Sequence, residues 1–115
     1  MSAKNGFGAD TITVPVDGST PPGCPNVSVT GSARDETTFV DAWVVFRDSS
    51  GNATQSNPTS TVQPNGPSGT RTWGLSLSAP NANYRYILVV RFQHTISSGL
   101  GTTFLDRIFK CGTPP

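Results

Sequence analysis

The sequence predicts an all-β domain, and three observations support this prediction. Apolar residues alternate with polar ones along several short stretches, with the period of two that is typical of strands half-buried in a sheet. Twelve glycines and ten prolines, together with many serines and threonines, interrupt these stretches at close intervals. No stretch of about 12 residues has the apolar stripe of an amphipathic helix. The 115 residues, 34% of them hydrophobic, are enough for a single core and a single domain.

The clearest strands lie between residues 71 and 92. In the first, Trp73 and Leu77 alternate with small polar residues, so one face is expected to meet the core and the other to meet solvent. Residues 80–83 contain one proline and two asparagines and predict a turn. The second strand, residues 84–92, is apolar on both faces, which is typical of a central strand covered on both sides.

The N-terminal part predicts an arm followed by two strands. Residues 1–9 are polar and glycine-containing, and we expect them to form a flexible arm. Residues 10–16 predict an edge strand, because Pro15 has no N–H to donate to a sheet. Another strand is expected at residues 27–33, where Gly31 indicates a bulge or the close approach of another segment.

The middle of the chain predicts one long strand and one long connection. Residues 39–47 are apolar on both faces around Trp43, and they are expected to form a strand. Residues 53–69 are polar and contain three prolines. This connection is expected to hold at most one short edge strand, near residues 60–62.

The C-terminal part predicts a hairpin and a final strand. Residues 97–101 are expected to form a flexible hairpin tip, and residues 102–111 the last strand. With the doubtful strand included, the chain has about seven strands, at the spacing of a β-sandwich. The sandwich is expected to span residues 10–111, followed by a tail at residues 112–115.

Three passages resemble a bacterial immunoglobulin-like domain. VSVTGSA (27–33) is similar to its second strand, and AWVVFRDSSGN (42–52) to its third strand and following turn. RTWGLSLSAPNANYRYILVV (71–90) is similar to its Trp-led strand, its proline-containing turn and its Tyr-led strand, and Tyr84 is similar to the tyrosine corner. The resemblance covers residues 26–111. It implies an immunoglobulin-like antiparallel β-sandwich that serves as a spacer, adhesion module or assembly subunit, without catalysis.

The two cysteines are expected to form a disulfide bond. Cys24 precedes the second strand and Cys111 ends the last one, and in a seven-strand sandwich these two points lie at the same pole. A bridge would stabilise the domain by roughly 4–5 kcal/mol in the chain-entropy model. It implies an oxidising environment, whereas the alternative is a pair of free thiols.

Charge and hydropathy exclude two classes of partner. The formal net charge is +1 and only 13% of the residues are charged, so no basic face for nucleic acid is expected. No run of about 18 apolar residues is present, so no membrane span is expected.

No catalytic or metal site is predicted either. His94 is the one histidine, and no nucleophile motif surrounds the nearby Ser97 and Ser98, so a solvated histidine at a strand end is expected. Asp48 and Asn52 lie in a turn that lacks the ligand alternation of a calcium loop. We therefore expect no enzyme, no metal and no cofactor.

A protein that binds other protein subunits is the leading functional hypothesis. No signal peptide is visible, which with the expected disulfide favours a subunit or decoration of an extracellular or virion assembly. Contacts are expected in the arm and in the connection 53–69, and residues 10–16 could add a strand to a neighbour. The candidate contact residues are Phe7, Ile12, Val14 and Val62.

Carbohydrate binding by a secreted accessory module is the alternative. Sugars stack on exposed aromatic side chains, and Trp43, Trp73 and Tyr86 are the aromatic residues to consider. Trp73 alternates in phase with apolar neighbours, and Trp43 lies among them, so both are expected to belong to the core.

Overall fold

The computed structural model describes residues 8–96 and 99–113, and these ranges contain strands and no helix. The prediction of an all-β domain is confirmed. The strands are β1 Asn26–Ala33, β2 Thr37–Arg47, β3 Ala53–Gln55, β4 Arg71–Ser78, β5 Arg85–Ile96 and β6 Gly99–Lys110. Most of the expected flexible arm (residues 1–7) and the end of the tail (residues 114–115) lie outside the described ranges.

The strands form two antiparallel sheets packed as a sandwich. β1 pairs with β4, and the second sheet has the order β3-β2-β5-β6. β5 therefore lies between two neighbours, as predicted for a central strand. The sheets enclose one core, whose buried apolar side chains on these strands are Val27, Val29, Ala33, Val40, Ala42, Val44, Trp73, Leu77, Tyr86, Leu88, Val90, Phe92 and Phe109.

The predicted edge strand at residues 10–16 is an extended segment that connects the two sheets. Its backbone follows β1, where the N–H of Thr13 donates to the carbonyl of Thr30 at 2.7 Å. Further on, Ser19 forms a parallel bridge with Phe109 of β6. The segment does not become a regular strand, because Pro15 interrupts the hydrogen-bond ladder between these two pairings.

The connection after β2 follows the free edge of that strand. Its short strand is β3 at Ala53–Gln55, whereas the stretch predicted at residues 60–62 contributes one bridge, between Val62 and Val40. Between these points polar side chains replace backbone acceptors. The N–H of Val44 donates to the Ser56 hydroxyl at 3.0 Å. This use of side chains explains why the connection has no alternating pattern.

Tyr86 makes the corner contact that the sequence predicted for Tyr84. The Tyr86 hydroxyl donates to the carbonyl of Asn81 at 2.8 Å and accepts the Asn81 N–H at 2.7 Å. Burial is the main cause that raises the pKa of Tyr86. Tyr84 precedes β5 and is half-buried against Phe46, so the prediction was wrong by two positions.

The hairpin between β5 and β6 is longer than predicted. β5 continues to Ile96 and β6 begins at Gly99, and these two residues pair with each other. The expected hairpin tip at residues 97–101 is thus paired from Gly99 onward. Residues 97–98 lie outside the described ranges.

The predicted disulfide bond joins Cys24 to Cys111. Their Cα atoms are 5.5 Å apart, and the two residues are separated by 87 positions in the sequence. Cys111 is fully buried in the core, and its N–H donates to the carbonyl of Tyr84 at 2.8 Å. Bonds of this kind persist in oxidising compartments, which agrees with an extracellular environment.

Candidate functional site

The outward side of the four-stranded sheet carries apolar side chains. We call it the outer face and define it by the outward residues of β2, β5 and β6. Three of its side chains are strongly exposed: Ile87 (44%), Phe104 (56%) and Ile108 (57%). The remaining apolar members are Phe39, Trp43, Val45 and Val89.

The strand register arranges these side chains in rows across the sheet. Val45, Ile87 and Ile108 lie opposite one another in one row. The next row holds Trp43, Val89 and the exposed Asp106. Because neighbours in a row and in adjacent rows are within side-chain reach, the apolar members form a continuous strip that continues through Trp43 to Phe104, with Asp106 at its side.

The other sheet of the same molecule has a different outward side. On β4 the outward residues include Thr72, Ser76 and Ser78, and on β1 they include Ser28. All four are polar and exposed. The chain therefore follows the period-two rule of a solvated face on one sheet and departs from it on the other.

An ion pair lies in the middle of the outer face. The Nε of Arg91 donates to the Asp41 carboxylate at 2.9 Å, and this hydrogen bond raises the pKa of Arg91. The guanidinium also lies 5.0 Å from the centre of the Trp43 ring, and Phe104 meets that ring edge-on at 6.3 Å. Because Asp41 is buried, the pair adds a fixed polar point to an otherwise apolar surface.

A surface cavity of about 470 Å³ lies at the end of the outer face where β5 begins. Its apolar lining combines Val45, Ile87 and Ile108 of the outer face with Ala53 and the aromatic side chains at this end of the sheet, which are Phe46, Tyr84 and Tyr86. Arg47 and Arg85 also line it, and Lys110 lies directly opposite Arg85 in the strand register. The cavity is therefore apolar inside and basic at its rim.

The four candidate contact residues predicted from the sequence differ in their exposure in the structure. Phe7 lies outside the described ranges. Ile12 was expected to be available to a partner, but it is only 3% exposed and belongs to the core, because the segment that carries it packs between the sheets. Val14 is 39% exposed, and Val62 is half-buried against the core.

The three aromatic residues considered for sugar binding also differ in their exposure. Trp73 and Tyr86 are buried, and the Trp73 indole donates to the carbonyl of Ser32 at 2.8 Å. Trp43, expected in the core, lies half-buried on the outer face instead. The expectation failed because Trp43 is on the outward phase of β2, whereas its neighbours Val44 and Ala42 point inward.

His94 is buried in a polar cluster and is not the solvated residue that was expected. Its Nε2 lies 2.8 Å from the Asp10 carboxylate, and Arg34 donates to its Nδ1 at 2.7 Å. The hydroxyl of Thr37 donates to the same carboxylate at 2.7 Å. The cluster fixes the start of the N-terminal segment against β2 and β5.

This buried cluster has an acid–histidine pair like that of a hydrolase, and within the described ranges the side-chain partners of the imidazole are Arg34 and Asp10, neither of them a nucleophile. Thr37 is fully buried and its hydroxyl is bonded to Asp10, so it does not face the imidazole. Ser97 and Ser98, the nearby hydroxyls in the sequence, lie outside the described ranges. The geometry fits a structural role for His94.

The turn after β2, considered above for calcium, satisfies its own aspartate. In the turn after β2, Asp48 accepts the N–H groups of Ser50 and Asn52, each at 2.9 Å.

Within residues 8–96 and 99–113 there is no group of three or more acidic, histidine or cysteine residues suited to a metal ion. The same ranges contain no helix of the length and hydropathy needed to cross a membrane.

Comparisons with protein-family models, with curated proteins and with solved structures found no match to this chain. The outer face and its cavity are therefore interpreted from their own chemistry. The sequence contained a signal for them, since residues 84–92 and 39–47 are apolar on both sides. That signal was interpreted as burial by the rest of the chain.

Proposed function

We propose that this protein is a non-enzymatic interaction subunit of immunoglobulin-like architecture, whose outer face is covered by another protein in an extracellular or virion assembly. One observation carries the proposal. The two-stranded sheet has a polar outward side, whereas the four-stranded sheet of the same chain exposes Ile87 and Ile108 side by side and Phe104 two rows further along β6. A continuous apolar surface of this kind is typical of a protein–protein contact.

Two further features support the architecture. The bond between the Tyr86 hydroxyl and the Asn81 backbone is the contact made by a tyrosine corner. The disulfide between Cys24 and Cys111 favours an oxidising location.

Covering the outer face would contribute a useful free energy of association. Full burial of a large apolar side chain is worth about 1.5–3 kcal/mol, so the exposed half of Ile87, Phe104 or Ile108 is worth roughly 1 kcal/mol each. The ion pair of Asp41 and Arg91 is already formed in the isolated chain. Its charges therefore need no new partner when the face is covered.

A carbohydrate-binding module remains the second candidate, because Trp43 lies on the outer face. One face of its indole ring is occupied by the guanidinium of Arg91. A sugar would have to stack on the other face, beside Phe104. A glycan array with the purified chain tests this candidate, and loss of a detected signal in the W43A variant would support it.

Hydroxyl-radical footprinting tests the proposed interface without any mutation. The native particle and the purified 12.1 kDa chain are oxidised in parallel, and the modified residues are quantified by mass spectrometry. We expect Phe104 and Ile108 to be labelled several-fold less in the particle. The exposed Val16, on the N-terminal segment, is the internal control and should be labelled equally in both samples.

Equal labelling of Phe104 and Ile108 in the two samples would refute the proposal. A native particle with the mass of a single chain, measured by light scattering, would refute it as well.

A further inference from the structure

We propose that the cavity at the basic end of the outer face binds an apolar side chain that projects from an acidic segment of the partner protein. This inference rests on the proposed function and adds the chemistry of the partner. It follows from the lining of the cavity, from the charges at its rim and from the lack of a salt bridge to those charges within the described ranges.

The walls of the cavity fit an apolar side chain. Val45, Ile87 and Ile108 lie in one row of the sheet and give the cavity an aliphatic side, which Phe46 and Tyr84 complete with aromatic rings. A volume of about 470 Å³ lies within the range of roughly 300–1,000 Å³ that is common for ligand sites. An aliphatic or aromatic side chain entering it would bury apolar surface on both partners.

The rim of the cavity is basic and uncompensated. None of Arg47, Arg85 and Lys110 forms a salt bridge within the described ranges. Arg47 donates to the carbonyl of Gly51 at 2.9 Å, which directs its guanidinium without neutralising it. Arg85 and Lys110 are exposed. These three cations can form ion pairs with carboxylates of a partner.

The nearby carboxylates of this chain do not form ion pairs with the three cations. The Asp48 carboxylate accepts the N–H groups of Ser50 and Asn52 and forms no salt bridge with Arg47 within the described ranges. Asp106 lies on the outer face but four residues before Lys110 along β6, a distance of about 13 Å at the usual rise per strand residue. Asp41 is paired with Arg91.

The same charges argue against a second copy of this chain as the occupant. The opposite end of the outer face carries Phe39, Gln93 and Thr102, which are uncharged. A copy related by a twofold axis would therefore set the basic rim either against itself or against an uncharged end. An acidic partner compensates the rim, and hydrogen bonds between charged groups are the stronger ones.

A peptide titration followed by NMR tests the inference on the full chain. The probe is a capped hexapeptide, Asp-Glu-Leu-Phe-Glu-Asp, added at up to millimolar concentration to the ¹⁵N-labelled protein. We expect amide shifts at Val45, Ile87 and Ile108 and none along β1. Binding should weaken as salt is added, since exposed charges are screened.

Two control peptides separate the apolar and the acidic parts of the recognition. A hexapeptide with lysine and arginine in place of the four acids keeps the apolar centre, and one with two serines in the centre keeps the acids. We expect each to bind at least about tenfold more weakly, the ratio that corresponds to 1.4 kcal/mol.

Protein variants locate the binding. R85Q and R47Q are each expected to weaken binding of the acidic peptide by about twofold to fivefold, as loss of one exposed ion pair predicts. The matched control is S76E, which lowers the net charge by the same amount on the exposed side of the other sheet. We expect its affinity for the peptide to equal that of the wild type.

The possible outcomes decide between the proposals. Amide shifts that depend on protein concentration and not on added peptide would indicate that a second copy of this chain occupies the cavity. Binding of the basic peptide as tight as that of the acidic peptide would exclude an acidic partner. Either result overturns the inference. So does the absence of shifts at millimolar peptide. If footprinting shows the outer face covered while the peptide does not bind, only this inference fails. If the face is uncovered in the native particle, the proposed function fails first.

Discussion

Replacing Gly31 by alanine is expected to detach the N-terminal segment from β1. A Cβ atom at this position would lie on the carbonyl oxygen of Thr11 and within 2.8 Å of the Trp73 ring. Real Cβ atoms do not approach other atoms so closely, and the obstacle on the segment is backbone, which has no rotamer to escape into. The segment and the strand must therefore separate. This is the close approach that the sequence indicated at Gly31.

The cost of G31A follows from what the segment contributes. Ile12 is 3% exposed, and full burial of such a side chain is worth about 1.5–3 kcal/mol. The N–H groups of Thr11 and Thr13 donate to β1 at 3.0 and 2.7 Å, and each bond is worth about 1 kcal/mol. Detachment should lower the free energy of unfolding by about 3–5 kcal/mol.

The variant G74A is the matched control for this experiment. Gly74 lies opposite Thr30 on the neighbouring strand, and its added Cβ would have its nearest contact at 3.6 Å, an ordinary van der Waals distance. We expect G74A to be neutral or to stabilise the protein by up to about 1 kcal/mol, because alanine loses less entropy on folding.

Urea denaturation of both variants gives the two free energies, and hydrogen exchange gives the state of the segment. In G31A the amides of Thr11 and Thr13 should lose protection, while those of β5 keep it. A G31A protein within about 1 kcal/mol of the wild type, with both amides still protected, would refute this reasoning.

Three further predictions concern the covalent and titratable groups. Replacing Cys24 and Cys111 by alanine should lower the free energy of unfolding by about 4–5 kcal/mol, because the bond joins residues that are 87 positions apart. An unchanged urea midpoint after complete reduction, verified by thiol counting, would contradict this. The pKa of Tyr86 is raised in the folded state, so its contribution to stability is fully present below its unfolded pKa of about 10 and is lost as the pH rises through the folded value. The variant Y86F should not show this alkaline loss of stability, and its free energy of unfolding at neutral pH should be about 1–2 kcal/mol lower than that of the wild type. Equal dependence of stability on pH in the two proteins between pH 8 and pH 11 would contradict this prediction. The pKa of Asp35 is lowered, mainly by a hydrogen bond from the Ser68 hydroxyl and to a lesser extent by one from the Gly69 N–H. The contribution of Asp35 to folding stability is therefore present above its unfolded pKa and is lost as the pH falls through its folded pKa. Thermal unfolding at pH 5 and pH 3 should show a smaller acid loss for D35N than for the wild type, and identical losses would show that this loop contact does not contribute.

The sequence was most informative where apolar residues recur with a period of two. The phase of Trp73 and Leu77 correctly predicted which side of β4 meets the core, and the positions of Cys24 and Cys111 correctly predicted their bond. In these regions local pattern and tertiary packing agree, as expected of a chain that specifies one fold.

The predictions were weakest at the sheet edges. β3 was not predicted, because its three residues lie in a polar connection that bonds to β2 partly through side chains. The buried position of His94 was missed because its partner Asp10 lies 84 residues away. Such contacts depend on topology and leave no local period in the sequence.

The outer face presents a different problem, because there the pattern was correct and its interpretation incomplete. A period of two tells which residues share a side of a strand, but it does not tell what covers that side. Strand β5 has apolar residues on both sides, and packing against the core accounts for only the inward side. On β4, where solvent covers the outward side, the chain places Thr72 and Ser76. The proposed covering partner would account for the apolar outward residues of β5, and the basic rim beside them is the reason for proposing that this partner is acidic.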